Sequence, residues 1–140
     1  MVRAPILVDS GGWIAQISRR DQYHRQAAAL FRRAVEERMP LVTTNLVVAE
    51  VHRQLLHRAG ILAARRALEL IEAGRLLSLE FVTVGHHRVA CDWLRRLGDQ
   101  ALTYTDATSF AVMAARRCRF VLGFDHHFEI AGFELWRPGT

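Results

Sequence analysis

Four acidic residues occupy places where carboxylates are out of the ordinary. Asp9 ends the apolar run ILVD, and Asp125 ends FVLGFD in the same way. Glu50 lies between Ala49 and Val51 in NLVVAEVHRQ, and Asp106 opens the apolar stretch TYTDATSFAVM. Each has an ordinary structural use. Asp9 and Asp125 could cap the helices that follow them. Asp106 suits a first helical turn, where the dipole and free N–H groups favour an anion. Glu50 shares a helical stripe with Arg53, Gln54 and His57, which could be a solvated face with an ion pair. The two strand-terminal aspartates weigh more as a pair, because a parallel sheet would bring them to one edge.

If the four converge, electrostatics narrow the chemistry. Two carboxylates about 4 Å apart repel by about 4 kcal/mol at an effective dielectric near 20. Four cannot stay ionised together without a counter-charge, so either their pKa values rise or a divalent cation sits among them. All-oxygen donors suit Mg²⁺ or Mn²⁺ better than zinc. Such a cation acidifies a water, holds a phosphate oxygen and neutralises charge on a leaving oxygen. That is the chemistry of phosphodiester hydrolysis. The histidines do not suggest a different metal. His86–His87 and His126–His127 are adjacent pairs that diverge on a helix, with no cysteine spacing or HExxH pattern beside them. His127 is expected to pack or hydrogen-bond beside the site.

The elements that must position these acids alternate along the chain. PILVD and LVTT read as short buried strands, FVLGF as a third, LLSLEFVTV as β-rich and GFELWR as an edge strand. Between them lie helical patterns. One starts near Gly12, and residues 21 to 38 form another, with Tyr23, Ala27, Leu30, Phe31, Ala34 and Val35 inward. Asn45 is placed as the N-cap of NLVVAEVHRQLLHR. ILAARRALELIEAG, HHRVACDWLRRLG and the buried TDATSFAVMAARR follow. Alternating strands and helices predict an α/β fold with a parallel sheet covered on both faces. Ligands in such sheets bind at the carboxyl ends of the strands, where Asp9 falls.

The 140 residues are expected to form one domain, 1–140. No window is long and apolar enough to span a membrane, and the start of the chain has no cleavable signal pattern, so a cytoplasmic location is expected. Cys91 and Cys118 read as reduced packing residues, although one disulfide is also compatible. The net charge is +5, and all 19 basic residues are arginine. Without lysine, Schiff-base, P-loop and receiver-domain chemistries are excluded. What remains is guanidinium, well shaped to grip phosphate.

The stretches ILVDSGGWIA, TTNLVVAEV, LTYTDATSFAVM and VLGFDHHFEIAGFELW closely resemble PIN domains. The resemblance covers nearly the whole chain. It is to the small single-domain kind, which includes the toxin half of VapBC-type toxin–antitoxin pairs. It implies a three-layer α/β/α sandwich with a central parallel sheet and metal-dependent ribonuclease activity. Carried over position by position, Asp9, Glu50, Asp106 and Asp125 are the catalytic, metal-binding set for Mg²⁺ or Mn²⁺. The neighbouring hydroxyls Ser10, Thr44 and Ser109 assist. Arg19, Arg20 and Arg53 are candidates to track an RNA backbone. The resemblance also implies a cognate antitoxin that inserts a segment into the acidic site. A homodimer is expected through the apolar helices that start at Asn45 and Ile61. In one place the chain departs from the pattern. Many relatives carry Thr two residues before the last Asp, where this chain has Gly123, so a supporting hydroxyl is missing near Asp125. The alternative reading is a non-catalytic module that binds RNA or a partner, against which the complete set of four acids argues.

Overall fold

A computed structural model describes residues 3–140. Its five strands are β1 Ile6–Val8, β2 Leu41–Thr44, β3 Leu77–Glu80, β4 Phe120–Leu122 and β5 Glu134–Leu135. They form one all-parallel sheet in the order β3-β2-β1-β4-β5. The helices are α1 Ser10–Ile17, α2 His24–Glu36, α3 Asn45–Ala59, α4 Ile61–Ala73, α5 Val84–Arg96, α6 Tyr104–Ala115 and α7 His127–Ile130.

Alternation along β1 creates the three layers. Ile6 and Val8 point to one face, where Trp13, Ile14, Leu30, Val47, Val51, Leu55 and Ile71 from α1–α4 pack on them. Leu7 points to the other, where it meets Phe110, Val112 and Met113 of α6 and Phe128 of α7. Because both faces are covered, the central strands are continuously apolar, with all of β1 buried. The expected α/β/α sandwich is therefore the observed one. Cys91 and Cys118 are free thiols. No helix among the described residues is long and apolar enough to cross a membrane.

Three local expectations need correction. The first helix begins at Ser10, not near Gly12, because the Trp13 N–H already bonds the Asp9 carbonyl. In α2 the inward stripe is Ala27, Leu30 and Ala34, while Val35, one position round, is 75% exposed. Tyr23 precedes the helix and sits at its rim. The N-cap of α3 is Thr44, whose hydroxyl accepts from the Val47 N–H at 3.0 Å. Asn45 is already helical, and its Oδ1 instead accepts from the Val82 N–H at 2.9 Å, tying α3 to the chain beyond β3.

The two glycines after Asp9 have different jobs. A Cβ on Gly12 would lie 2.4 Å from the Leu122 carbonyl oxygen, so the bare backbone is what lets α1 approach β4. A Cβ on Gly11 would meet nothing within 4 Å. Gly12→Ala should therefore destabilise the protein by about 2 kcal/mol through overpacking. Gly11→Ala should be neutral or stabilise it by about 0.5 kcal/mol, as alanine in a helix does. Denaturant melts of the two variants check this contrast.

Candidate functional site

The strand order reverses between β1 and β4, and in parallel sheets this is where the carboxyl ends open a crevice. Asp9 follows β1 directly, and its N–H bonds the Leu122 carbonyl at 3.1 Å. Asp125 follows β4 by three residues. Asp106 enters from the first turn of α6, and Glu50 from α3. The topology thus leads four elements to one edge.

Each acid is held by its own local arrangement. Asp9 occupies the N-cap position of α1 with extended backbone, yet its side chain makes no capping hydrogen bond. It is 3% exposed, and its Oδ1 is buried without a partner. Asp106 is 8% exposed, and the Thr103 hydroxyl accepts its backbone N–H at 3.1 Å. Because Thr103 does the capping, the Asp106 carboxylate is not needed for it. Glu50 makes no ion pair with Arg53. Its Oε1 accepts from Ser10 Oγ and from Gln54 Nε2, both at 3.1 Å. Asp125 Oδ1 accepts the His127 N–H at 2.9 Å.

The electrostatics follow from burial and proximity. Burial, then the charge of Asp106, then Glu50 and Asp125, push the Asp9 carboxyl up to about 8, against a backbone hydrogen bond at Ser10. Burial above all also raises Asp106, with Asp125 and Glu50 adding to it and hydrogen bonds from Thr103 opposing. Among the described residues, no arginine forms an ion pair with any of the four acids. Hard oxygen donors, a buried carboxylate oxygen lacking a partner, and mutual repulsion without a basic counter-charge together fit a hard divalent cation.

The supporting residues divide. Ser10 orients Glu50, whereas Thr44 is engaged in capping α3. Ser109 is fully buried and its hydroxyl has no partner. Arg19, Arg20 and Arg53 are exposed. Gly123, where the supporting hydroxyl is missing, is crowded from the Asp9 side. A Cβ there would lie 3.1 Å from the Asp9 Cβ, so the aspartate side chain takes up the space. The Gly123 carbonyl is held by Arg137 Nη2 at 2.9 Å.

One supporting residue was not singled out in the sequence. Gln54 helps hold Glu50, and its signal was the i,i+4 spacing. His127 stands beside the site, as expected, with a ring nitrogen within 4.8 Å of a carboxylate oxygen of both Asp106 and Asp125.

The raised acids make stability depend on pH. The folded state keeps a proton on Asp9 that the unfolded chain releases near pH 4, so stability falls as pH rises from about 4 to about 8. In EDTA, the thermal midpoint should decline across this window. Asp9→Asn should flatten the decline and be more stable than wild type at pH 8 by on the order of 1 kcal/mol or more. A wild-type midpoint that climbs over the same range would contradict this.

Comparison with known proteins agrees with the geometry. The sequence profile of the PIN domain matches residues 6–134. The chain is 33% identical over 138 residues to the 23S rRNA-specific endonuclease VapC20 of Mycobacterium tuberculosis, in strains CDC 1551 / Oshkosh and ATCC 25618 / H37Rv. The alignment covers 95% of this chain and 98% of that protein. The crystal structure of Mycobacterium tuberculosis VapC20, described as a sarcin–ricin loop cleaving toxin, superposes with a TM-score of 0.84 at 31% identity. It covers 95% of this chain and 99% of the other. With the profile match, the close relative and the shared fold in agreement, the chain belongs to the PIN domain family.

Proposed function

We propose that this chain is a divalent-metal-dependent endoribonuclease and the toxin of a toxin–antitoxin pair. The observation that carries the reading is the buried, unpartnered Asp9 oxygen among three further acids at the carboxyl edge of the sheet. Asp9, Glu50, Asp106 and Asp125 would hold Mg²⁺ or Mn²⁺. Once bound, the ion would supply a Lewis acid for the scissile phosphate and lower the pKa of a water. The protein's own contribution is placement. Ser10 and Gln54 fix the Glu50 carboxylate, Thr103 fixes the start of α6, and the two central strands fix Asp9 and Asp125. The unpartnered Ser109 hydroxyl is free to support a ligand or a water. The name of the relative makes the sarcin–ricin loop of 23S rRNA the first substrate to test.

Binding of RNA would rely on arginine. Setting aside the four site acids leaves ten acids against 19 arginines for the rest of the molecule. Arg53 follows Glu50 on α3, and Arg19 and Arg20 lie in the turn after α1. Arg53→Ala should weaken RNA binding and reduce the slope of log affinity against log salt by about 0.7 to 0.9, as expected for one lost phosphate contact. Titrations at several salt concentrations would read this directly, and an unchanged slope would remove Arg53 from the interface.

Partners follow from the same reading. An antitoxin would neutralise the site by placing a basic side chain among the acids. A second copy would cover exposed apolar residues of α4, where Ile61 is 66% and Leu62 76% exposed. The expected α3 surface would contribute less, since Val47, Val51 and Leu55 are buried, Leu46 and Val48 partly so, and of its large apolar side chains only Leu56 is exposed.

The function is tested by cleavage of a sarcin–ricin-loop oligonucleotide and of a mixed-sequence RNA, with Mg²⁺ or Mn²⁺ and then with EDTA. Cutting should require the metal. Asp106→Asn should lower it by more than ~100-fold, beyond the 10–100-fold typical of groups that only support a ligand. A folded Asp106→Asn variant with full activity would remove Asp106 from the reaction.

A further inference from the structure

We infer that His127 is a direct ligand of the cation, an imidazole corner beside Asp125 and Asp106 that tilts the site toward Mn²⁺ over Mg²⁺. The inference rests on the reading of the acids as a cation site. Its basis is a contact that hydrogen bonding does not explain. His127 Nδ1 lies 3.0 Å from Asp125 Oδ1, yet this buried nitrogen has no hydrogen-bond partner, so the two atoms are close without being aligned as donor and acceptor. Asp125 Oδ1 takes its hydrogen bond from the His127 backbone instead. One ring nitrogen of His127, one carboxylate oxygen of Asp125 and one of Asp106 form a set of three donor atoms within 4.8 Å of one another. Adjacent corners of an octahedron with bonds of about 2.1 Å lie about 3.0 Å apart, so the His127–Asp125 separation suits two ligands of one ion.

The ring is also held in place. It is 16% exposed, stacks on His126 with centroids 4.6 Å apart, and is followed by Phe128, which is buried in the core. One imidazole nitrogen among carboxylates favours Mn²⁺ relative to Mg²⁺, because nitrogen donors suit transition metals and Mg²⁺ prefers oxygen. The side chain therefore bears on which ion the site takes, in addition to fixing the Asp125 backbone turn.

The test is electron-spin-echo modulation of Mn²⁺ bound to the full chain, prepared with ordinary histidine and with ¹⁵N-histidine. Wild type should show coupling to a directly bound nitrogen that changes to the ¹⁵N pattern with the label. The coupling should persist in His126→Asn and vanish in His127→Asn, and the Mn²⁺-over-Mg²⁺ preference should fall about tenfold in the latter. If Mn²⁺ binds in an Asp106-dependent way but shows no histidine coupling, His127 only steadies Asp125 and the inference is overturned, while the acidic site stands. If no Asp106-dependent Mn²⁺ binding occurs, both the site and the inference fall. The labelled wild type and His126→Asn decide the matter even if His127→Asn does not fold.

Discussion

Carboxylates gathered at the edge of a parallel sheet repel one another, and much of the local structure serves to hold them there. Asp9 is buried at the end of a strand that is itself inaccessible, and burial is the largest influence on its charge. Among the described residues, no basic side chain pairs with it. Burial and mutual repulsion raise the carboxyls of Asp9 and Asp106, so each holds a proton more readily than a free carboxylate does. A cation bound as proposed would compete with that proton, and the charge of the site would be set by which of them is present.

The surrounding elements are arranged around that constraint. Caps that might have consumed the acids come from other residues. Thr103 caps α6, so Asp106 is spared, and Thr44 caps α3 upstream of Glu50. The close approach of α1 to β4 across Gly12 fixes the end of β1 where Asp9 emerges. Arginines stay at a distance. Arg33, Arg95, Arg116 and Arg119 pair with Glu37, Asp92, Glu80 and Glu134, and Arg137 braces the Gly123 carbonyl and lies over Phe124. These arginines are thus engaged elsewhere, and among the described residues no arginine pairs with the four site acids.

Much of this was legible in the sequence because it is local. The apolar run ending in Asp9 marks where β1 stops, whereas β4 ends at Leu122, short of the expected FVLGF strand and three residues before Asp125, and the alternation of strands and helices matches the layered sheet. What was not legible depends on distant partners. That Thr44, and not Asn45, caps α3 follows from the Val82 N–H, which lies 37 residues further on. That Gly12 is essential and Gly11 is not follows from a carbonyl on β4. Val35 was misplaced because it lies one step from a stripe set by small residues, which pack as deeply as large ones. A place beside the site was legible for His127, but its approach to Asp106 was not, since that exists only after α6 and the β4 edge have come together.

The most direct measurement is the number of protons released when Mn²⁺ binds to the metal-free protein. Calorimetric titrations at pH 7 in buffers of different ionisation enthalpy give that number. The account predicts release of about one proton per ion, falling toward zero by about pH 9 and lost in Asp9→Asn, because the ion displaces the proton held by the buried carboxylate. Binding at pH 7 without proton release, or no binding at all, would contradict it.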